Sequence, residues 1–119
     1  MNWVGLERWE KVVRLAAVAS KDRHAATAGV RDAFGEAGGW ITDVHFFSGV
    51  QTTFEFEIAP ERLRALEEAL ARAGLALDVA STAALARAAS SQEEVHGTLA
   101  VIFAHGDPDL KHDVPAVPR

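Results

Sequence analysis

The residues at positions 20–24 are the first group whose types and spacing could bind a ligand. They read Ser-Lys-Asp-Arg-His and directly precede a segment with helical periodicity. The exposed N–H groups and the positive dipole at a helix N-terminus attract carboxylates and phosphates, and basic side chains strengthen that attraction. The pattern predicts ligand contacts from Lys21, Asp22, Arg23 and His24. An ordinary helix cap among solvated charges is the alternative.

A second polar group consists of Asp43, His45, Glu55 and Glu57, in two neighbouring segments. If these segments pair as a hairpin, Asp43 lies directly opposite Glu55, and two carboxylates so placed repel each other. A metal, a basic side chain of a partner or a protonated His45 would relieve the repulsion. We expect no bound metal and a solvated pair, with His45 and Glu55 as the candidate ligands if a metal does bind.

The C-terminal tail supplies a third group, because positions 105–113 read His-Gly-Asp-Pro-Asp-Leu-Lys-His-Asp. These donors suit a divalent ion, but three of the four prolines lie beyond position 105, so we expect an irregular tail over 106–119 and no rigid set of ligands. The sequence has no phosphate-binding or dinucleotide-binding glycine pattern, and no nucleophilic-serine or zinc-protease motif. We therefore predict no cofactor and no catalytic residues.

Hydrophobic spacing predicts the elements that must position these groups. Residues 11–20 are largely apolar on both alternating faces, which is typical of a buried strand, and residues 2–9 are expected to form a short helix or a loop. From Arg23 to Ala37 the apolar residues follow one helical stripe. Asp22 is the expected N-cap, and Gly38-Gly39 ends the helix.

A hairpin is predicted next. Residues 53–58 alternate apolar with polar side chains, and the partner strand is Trp40–Phe47, with Ser48-Gly49-Val50 as the turn. This arrangement puts Val44 and Phe46 in the core, and Ile41 and Phe47 on the opposite face. The register that keeps charges out of the core pairs Val44 with Phe54, Thr42 with Phe56, Asp43 with Glu55 and His45 with Thr53.

The remaining segments predict a helix, an ambiguous stretch and a last strand. Pro60 begins a helix over 61–73, which Gly74 ends. Residues 75–95 are ambiguous between a helix and an added strand. Within them, Thr82–Ala89 suits a short helix capped by Ser81. The last predicted strand is His96–His105.

The order of these elements predicts an α+β fold of the ferredoxin-like βαββαβ kind over a single domain, residues 1–119. Such a fold has a four-stranded antiparallel sheet with two helices on one face. Here an extra short helix precedes the last strand. The uncovered face would expose more apolar surface than a monomer usually leaves wet, so we expect a homodimer through the open sheet face, with the tail as the competing cover.

Composition narrows the class of protein further. The chain has 119 residues, a formal net charge of −5 and no cysteine, so thiolate metal sites and disulfides are excluded. No segment has the dense basic stripe that nucleic-acid binding needs, so we expect no nucleic-acid partner. The longest apolar run, Leu99–Ala104, is far shorter than a membrane span. Charges interrupt the N-terminus where a secretory signal would be apolar, and we expect a cytoplasmic location.

Part of the chain resembles ACT domains, which are small ligand-binding regulatory modules of ferredoxin-like topology. The resemblance rests on Lys21-Asp22-Arg23, on the helix that ends in Glu36-Ala37-Gly38, and on the strand Gly39-Trp-Ile-Thr-Asp43. The hairpin and the second helix extend it over about residues 21–77. It implies dimerisation and amino-acid binding. The chain departs from the family where His24-Ala25 replaces Pro-Gly and Trp40 replaces Asn.

Together these observations predict a non-enzymatic, homodimeric regulatory domain that binds an amino acid or another small carboxylate. The expected ligand contacts are Lys21, Asp22, Arg23 and His24, with Gly39 nearby and Asp43 from the second strand or the partner chain. Two alternatives stay open. One is a small dimeric ferredoxin-like enzyme of the oxygenase or isomerase kind that uses His45, and the other is a dimerisation scaffold without a ligand.

Overall fold

A computed structural model describes residues 12–103, which form one sheet and three α-helices. No helix in this part of the chain is long and apolar enough to cross a membrane. A short 3₁₀ turn, Pro60–Arg62, leads into the second helix. The elements are β1 (Val13–Ala19), α1 (Arg23–Ala37), β2 (Trp40–Ser48), β3 (Gln51–Ile58), α2 (Leu63–Arg72), β4 (Leu75–Leu77), α3 (Val79–Ala88) and β5 (Val95–Phe103).

The sheet has five strands in the order β2-β3-β5-β1-β4, and it is mixed. β5 lies at its centre, parallel to β1 and antiparallel to β3, while β4 adds an antiparallel strand outside β1. The prediction of a four-stranded antiparallel ferredoxin-like sheet is therefore wrong. Two facts overturn it: residues 75–77 form a strand of their own, and the last strand separates β1 from β3.

The centre of the sheet suits β5 because of its side chains. Its helix-facing residues are buried, and they include Leu99 and Val101 with no exposed surface. Gly97 lies under the ring of Phe56, where an added Cβ would come within 2.6 Å of Phe56 Cζ and of the Val13 carbonyl oxygen. Phe56 in turn contacts Phe34 of α1, with ring centroids 5.0 Å apart. A side chain at 97 would thus push apart the sheet and the aromatic layer that joins it to α1.

Helix α1 confirms the sequence prediction at both ends. Asp22 is its N-cap and accepts a hydrogen bond from the Ala25 N–H at 2.9 Å. Gly38 ends it in the left-handed conformation, with φ of 83°, which favours glycine. The helix caps are determined locally, by residues within a few positions of each end, so they could be predicted without knowledge of the sheet.

The hairpin confirms most of the predicted register and corrects the rest. Asp43 pairs with Glu55, Val44 with Phe54 and His45 with Thr53. Phe56, however, lies opposite Ile41 instead of Thr42, because the ladder is irregular between Ile41 and Asp43. An extra residue in one strand moves the side chains beyond it to the opposite face of the sheet. Ile41 accordingly packs against the core instead of lying on the open face.

Two further expectations for this strand and its turn are wrong. Phe46 is 62% exposed instead of buried, and its ring lies under the guanidinium of Arg23. β3 already begins at Gln51, so the turn is formed by Gly49 and Val50, after Ser48 has ended β2. Phe47 is 67% exposed, so the end of β2 presents two aromatic rings to solvent.

Helix α3 begins three residues earlier than predicted and closes one edge of the sheet. Its N-cap is Asp78 instead of Ser81. Ser81 is buried, and its hydroxyl accepts the Ala16 N–H at 2.7 Å and donates to the Ala16 carbonyl at 3.3 Å. β4 pairs only with residues 17–19 of β1, so the Ser81 side chain continues the ladder where β4 ends. The ambiguity over residues 75–95 thus resolves into both a strand and a helix.

The predictions for residues 2–9 and 106–119, and for the last two residues of the predicted final strand, lie outside the described residues. The described part of the final strand begins at Val95, one residue before the predicted start at His96.

Candidate cation site on the open sheet face

Three groups that can bind a cation meet on the uncovered face of the sheet. Asp43 and His45 are two residues apart on β2, so they point to the same side of the strand. Glu55 lies directly opposite Asp43 on β3 and shares that face. Val44 and its partner Phe54 point the other way, toward the helices, and their packing against the core fixes the face on which the polar residues lie.

The imidazole of His45 lies between the two carboxylates. His45 Nε2 donates a hydrogen bond to Glu55 Oε2 at 2.8 Å, and it lies 3.4 Å from Asp43 Oδ2. One ligand atom from each of the three residues lies within 4.8 Å of the other two. Asp43 Oδ1 accepts the Val44 N–H at 2.9 Å, which orients the carboxylate. The Asp43 and Glu55 carboxylates thus both face the same ring nitrogen of His45.

The two distances from His45 Nε2 are short enough for a divalent transition metal. Zinc lies about 2.0–2.2 Å from histidine nitrogen and carboxylate oxygen, so two of its ligand atoms are at most about 4.2 Å apart. Both distances from His45 Nε2 are shorter than that limit. The three side chains are about half exposed, so a cation can reach them from solvent. Three protein ligands also leave a coordination position for water or an added ligand.

A second histidine and glutamate lie next to this group on the same face. His96 of β5 is directly opposite Glu57 of β3, with His96 Nδ1 3.5 Å from Glu57 Oε2. Sequence analysis missed this pair, because the position of β5 beside β3 follows from the strand order. The pair has one carboxylate where the Asp43 group has two, and it provides an internal comparison for cation binding.

The residues predicted to bind a carboxylate do not come together within one chain. Lys21, Asp22, Arg23 and His24 lie at the N-terminal end of α1. Gly39 follows the other end of this 15-residue helix, about 22 Å away at a rise of about 1.5 Å per residue. There it fits closely against Phe34 and Ile58.

Asp43 is also separated from the helix N-terminus, because it lies on the sheet face that the helices do not cover. At the helix end itself, the Asp22 carboxylate already occupies the Ala25 N–H. A bound carboxylate there would lie beside this negative charge. The ends of α1 and the open face of β2 are thus three separate places in one copy of the chain.

Comparisons of the chain with protein-family models, with curated proteins and with solved structures found no match. The resemblance to ACT domains therefore stays a prediction. Among the described residues, Asp43, His45 and Glu55 form the group whose ligand atoms lie close enough together to hold a metal ion.

Proposed function

We propose that this protein is a small binding module that holds a divalent transition-metal cation between Asp43, His45 and Glu55. The observation that carries the proposal is the convergence of three ligand atoms within 4.8 Å on two paired strands. Histidine with two carboxylates suits Zn²⁺, Mn²⁺ or Fe²⁺ better than Ca²⁺ or Mg²⁺, which prefer oxygen ligands alone. The sequence-based expectation of no bound metal gives way here to a proposal based on distances.

Binding would replace the hydrogen bond between His45 and Glu55. His45 Nε2 donates a hydrogen bond to Glu55 in the cation-free chain, so this nitrogen can bind a cation only after its proton has moved to Nδ1 or to solvent. Glu55 and Asp43 then turn from proton acceptors into ligands. The expected signature is weaker affinity as the pH is lowered, because protons then compete with the cation for its ligands.

In this proposal a small carboxylate would bind to the cation itself. A site with three protein ligands has room for an amino acid or another small acid at the remaining position. The protein would then be a regulatory binding module of the cytoplasm. The chain has no cysteine, so its folding does not depend on disulfides or on an oxidising compartment.

Isothermal titration of tag-free, chelator-treated protein with Zn²⁺ and Mn²⁺ tests the proposal. We expect one cation per chain, with His45→Ala lowering the affinity at least tenfold because a ligand is lost. Repeating the titration at lower pH measures the competition between protons and the cation.

The matched control is His96→Ala, which removes a histidine beside a glutamate on the same face, and its affinity should stay within twofold of the wild type. Absence of binding in the wild type would overturn the proposal. Equal losses for His45→Ala and His96→Ala would also overturn it, because the face would then attract cations without a defined site.

A further inference from the structure

Most of the exposed apolar side chains lie together at one end of the sheet. In the described part of the chain, seven large hydrophobic side chains are exposed. Val18 and Ile102 are partners on neighbouring strands, and Ile102 also lies opposite Gln51, where the turn between β2 and β3 ends. Five of the seven are grouped around this turn, and we call them the turn patch: Val18, Phe46, Phe47, Val50 and Ile102. Contiguous exposed apolar surface marks an interaction site.

The two aromatic rings of the turn patch lie at the end of β2. Phe46 and Phe47 are 62% and 67% exposed, and Val50 in the turn is 45% exposed. The sequence from Phe46 to Thr53 contains no acidic residue. Aromatic and aliphatic side chains bind a membrane surface by entering the boundary between headgroups and acyl chains, and basic side chains strengthen that binding on anionic lipids.

Basic side chains border the turn patch. The guanidinium of Arg23 lies 5.7 Å from the centre of the Phe46 ring. Lys21 is exposed and lies two residues beyond the end of β1. Asp22, between them, caps α1 through the Ala25 N–H. The acidic side chains of the hairpin lie in the halves of β2 and β3 that are farther from the turn: Asp43, Glu55 and Glu57.

We propose that the turn patch binds the surface of an anionic lipid bilayer. The rings of Phe46 and Phe47 enter the headgroup boundary, and Lys21 and Arg23 lie against the anionic headgroups. Apolar burial supplies the attachment, and the basic side chains select for negatively charged lipids. The patch and the proposed cation site are independent, because neither the rings nor the basic side chains belong to the group of cation ligands.

A second copy of the chain fits the turn patch less well. Two copies that met turn to turn about a two-fold axis would bring Lys21 and Arg23 of one copy toward the same residues of the other, and like charges across an interface disfavour association. A dimer through the open sheet face, as the sequence predicts, would cover Val18 and Ile102. It would leave Phe46 uncovered, since this residue is opposite the buried Thr52 and so lies on the helix side of the sheet.

Co-sedimentation with lipid vesicles tests the role of the rings. The vesicles contain phosphatidylserine and phosphatidylcholine, and EDTA removes divalent cations that could bridge carboxylates and headgroups. We expect the wild type to bind, and Phe47→Ser should lower the partition coefficient at least fivefold because a ring that enters the membrane is lost. The matched control is Trp40→Ser, which removes a ring of the same 67% exposure from the other end of β2, and it should stay within twofold of the wild type.

A charge reversal tests the selection for anionic lipids. Lys21→Glu should lower the partition coefficient on the same vesicles at least fivefold, and added salt should weaken wild-type binding because it screens the attraction. Arg14→Glu is the matched control, since it changes the net charge equally at an exposed position in the half of β1 away from the turn. Its partition coefficient should stay within twofold of the wild type.

A fluorophore at a single cysteine reports which end of the hairpin enters the membrane, because the natural chain has no cysteine. An environment-sensitive dye on Ser48→Cys, beside the turn, should shift its emission to the blue when vesicles are added. The same dye on Thr42→Cys, an exposed position near the other end of β2, should not shift.

Four results would overturn the proposal. They are absence of binding to the phosphatidylserine vesicles, equal losses for Phe47→Ser and Trp40→Ser, equal binding to vesicles of phosphatidylcholine alone, and a blue shift at position 42 without one at position 48. A wild type that binds no vesicles and sediments as a dimer, which Phe47→Ser dissociates, would show instead that a second copy covers the turn patch.

Discussion

The two edges of the sheet are protected to different degrees. The edge formed by β4 is a strand of three residues, and beyond it α3 takes over, with Ser81 bonded to both backbone groups of Ala16. The edge formed by β2 has nine residues, two irregularities and three exposed aromatic side chains. One edge is thus completed by the chain itself, whereas no described strand pairs with the other edge.

This difference shows how few residues are needed to satisfy the backbone hydrogen bonds at a sheet edge. A buried serine hydroxyl can donate and accept at once, so it replaces a residue of a strand for one step of the ladder. At the β2 edge the corresponding polar side chain, Asp43, bonds the N–H of its own neighbour. The exposed β2 strand also carries Asp43 and His45, two of the three residues proposed to bind the cation.

The strongest test of the closed edge is Ser81→Ala. It leaves the partly buried Ala16 N–H without its side-chain partner, and an unpaired buried donor typically costs about 1–3 kcal/mol. Urea unfolding at neutral pH measures the loss. Thr82→Ala is the matched control, because it removes a neighbouring hydroxyl whose bond to the Asp78 carbonyl is exposed. Equal losses for both variants would mean that Ser81 contributes only to the helix and not to the sheet edge.

A smaller effect is expected from the cap of the same helix. The neighbouring Ser81 side chain and the hydrogen bond from the Ser81 N–H to Asp78 Oδ1 lower the pKa of Asp78. A carboxylate whose pKa is lower in the folded chain stabilises the fold above its unfolded pKa, about 3.9, and loses that contribution as the pH falls through its folded pKa. The stability difference between the wild type and Asp78→Ala should therefore be largest at neutral pH and narrow below about pH 4.

Unfolding by urea at pH 7 and at pH 3 measures this narrowing. Asp78→Asn keeps an oxygen that can cap the helix and does not titrate, so its difference from Asp78→Ala should change little with pH. A gap between wild type and Asp78→Ala that is constant from pH 7 to pH 3 would contradict the role of the charge.

The smallest effect on folding is expected at the open edge. Phe47→Lys changes a side chain that is 67% exposed, so the free energy of unfolding should stay within about 0.5 kcal/mol of the wild type. Measured by urea unfolding at low protein concentration, a loss above about 1 kcal/mol would show that Phe47 is covered in the free chain. That result would contradict the conclusion that the β2 edge is less protected than the β4 edge.

Local features of the fold were predictable from the sequence, and the contacts between distant segments were not. The caps of α1 and the pairs from Asp43 to His45 follow from patterns within a few residues or across one turn. The irregularity beside Thr42 could not be predicted, because the ladder shifts by one residue without a change in the apolar pattern. The pair of Glu57 and His96 also escaped prediction, since the two residues are neighbours only through the strand order.

The sequence by itself determined which side chains alternate on each strand, and so it brought Asp43, His45 and Glu55 to one face of a hairpin. Their separation and the position of the imidazole between the carboxylates were decided by the tertiary structure, through the packing of Val44 and Phe54 against the core. The strand order was also a tertiary decision. β5 is apolar enough to occupy the centre of a sheet, but periodicity describes only the faces of a strand and carries no information about which strands lie beside it.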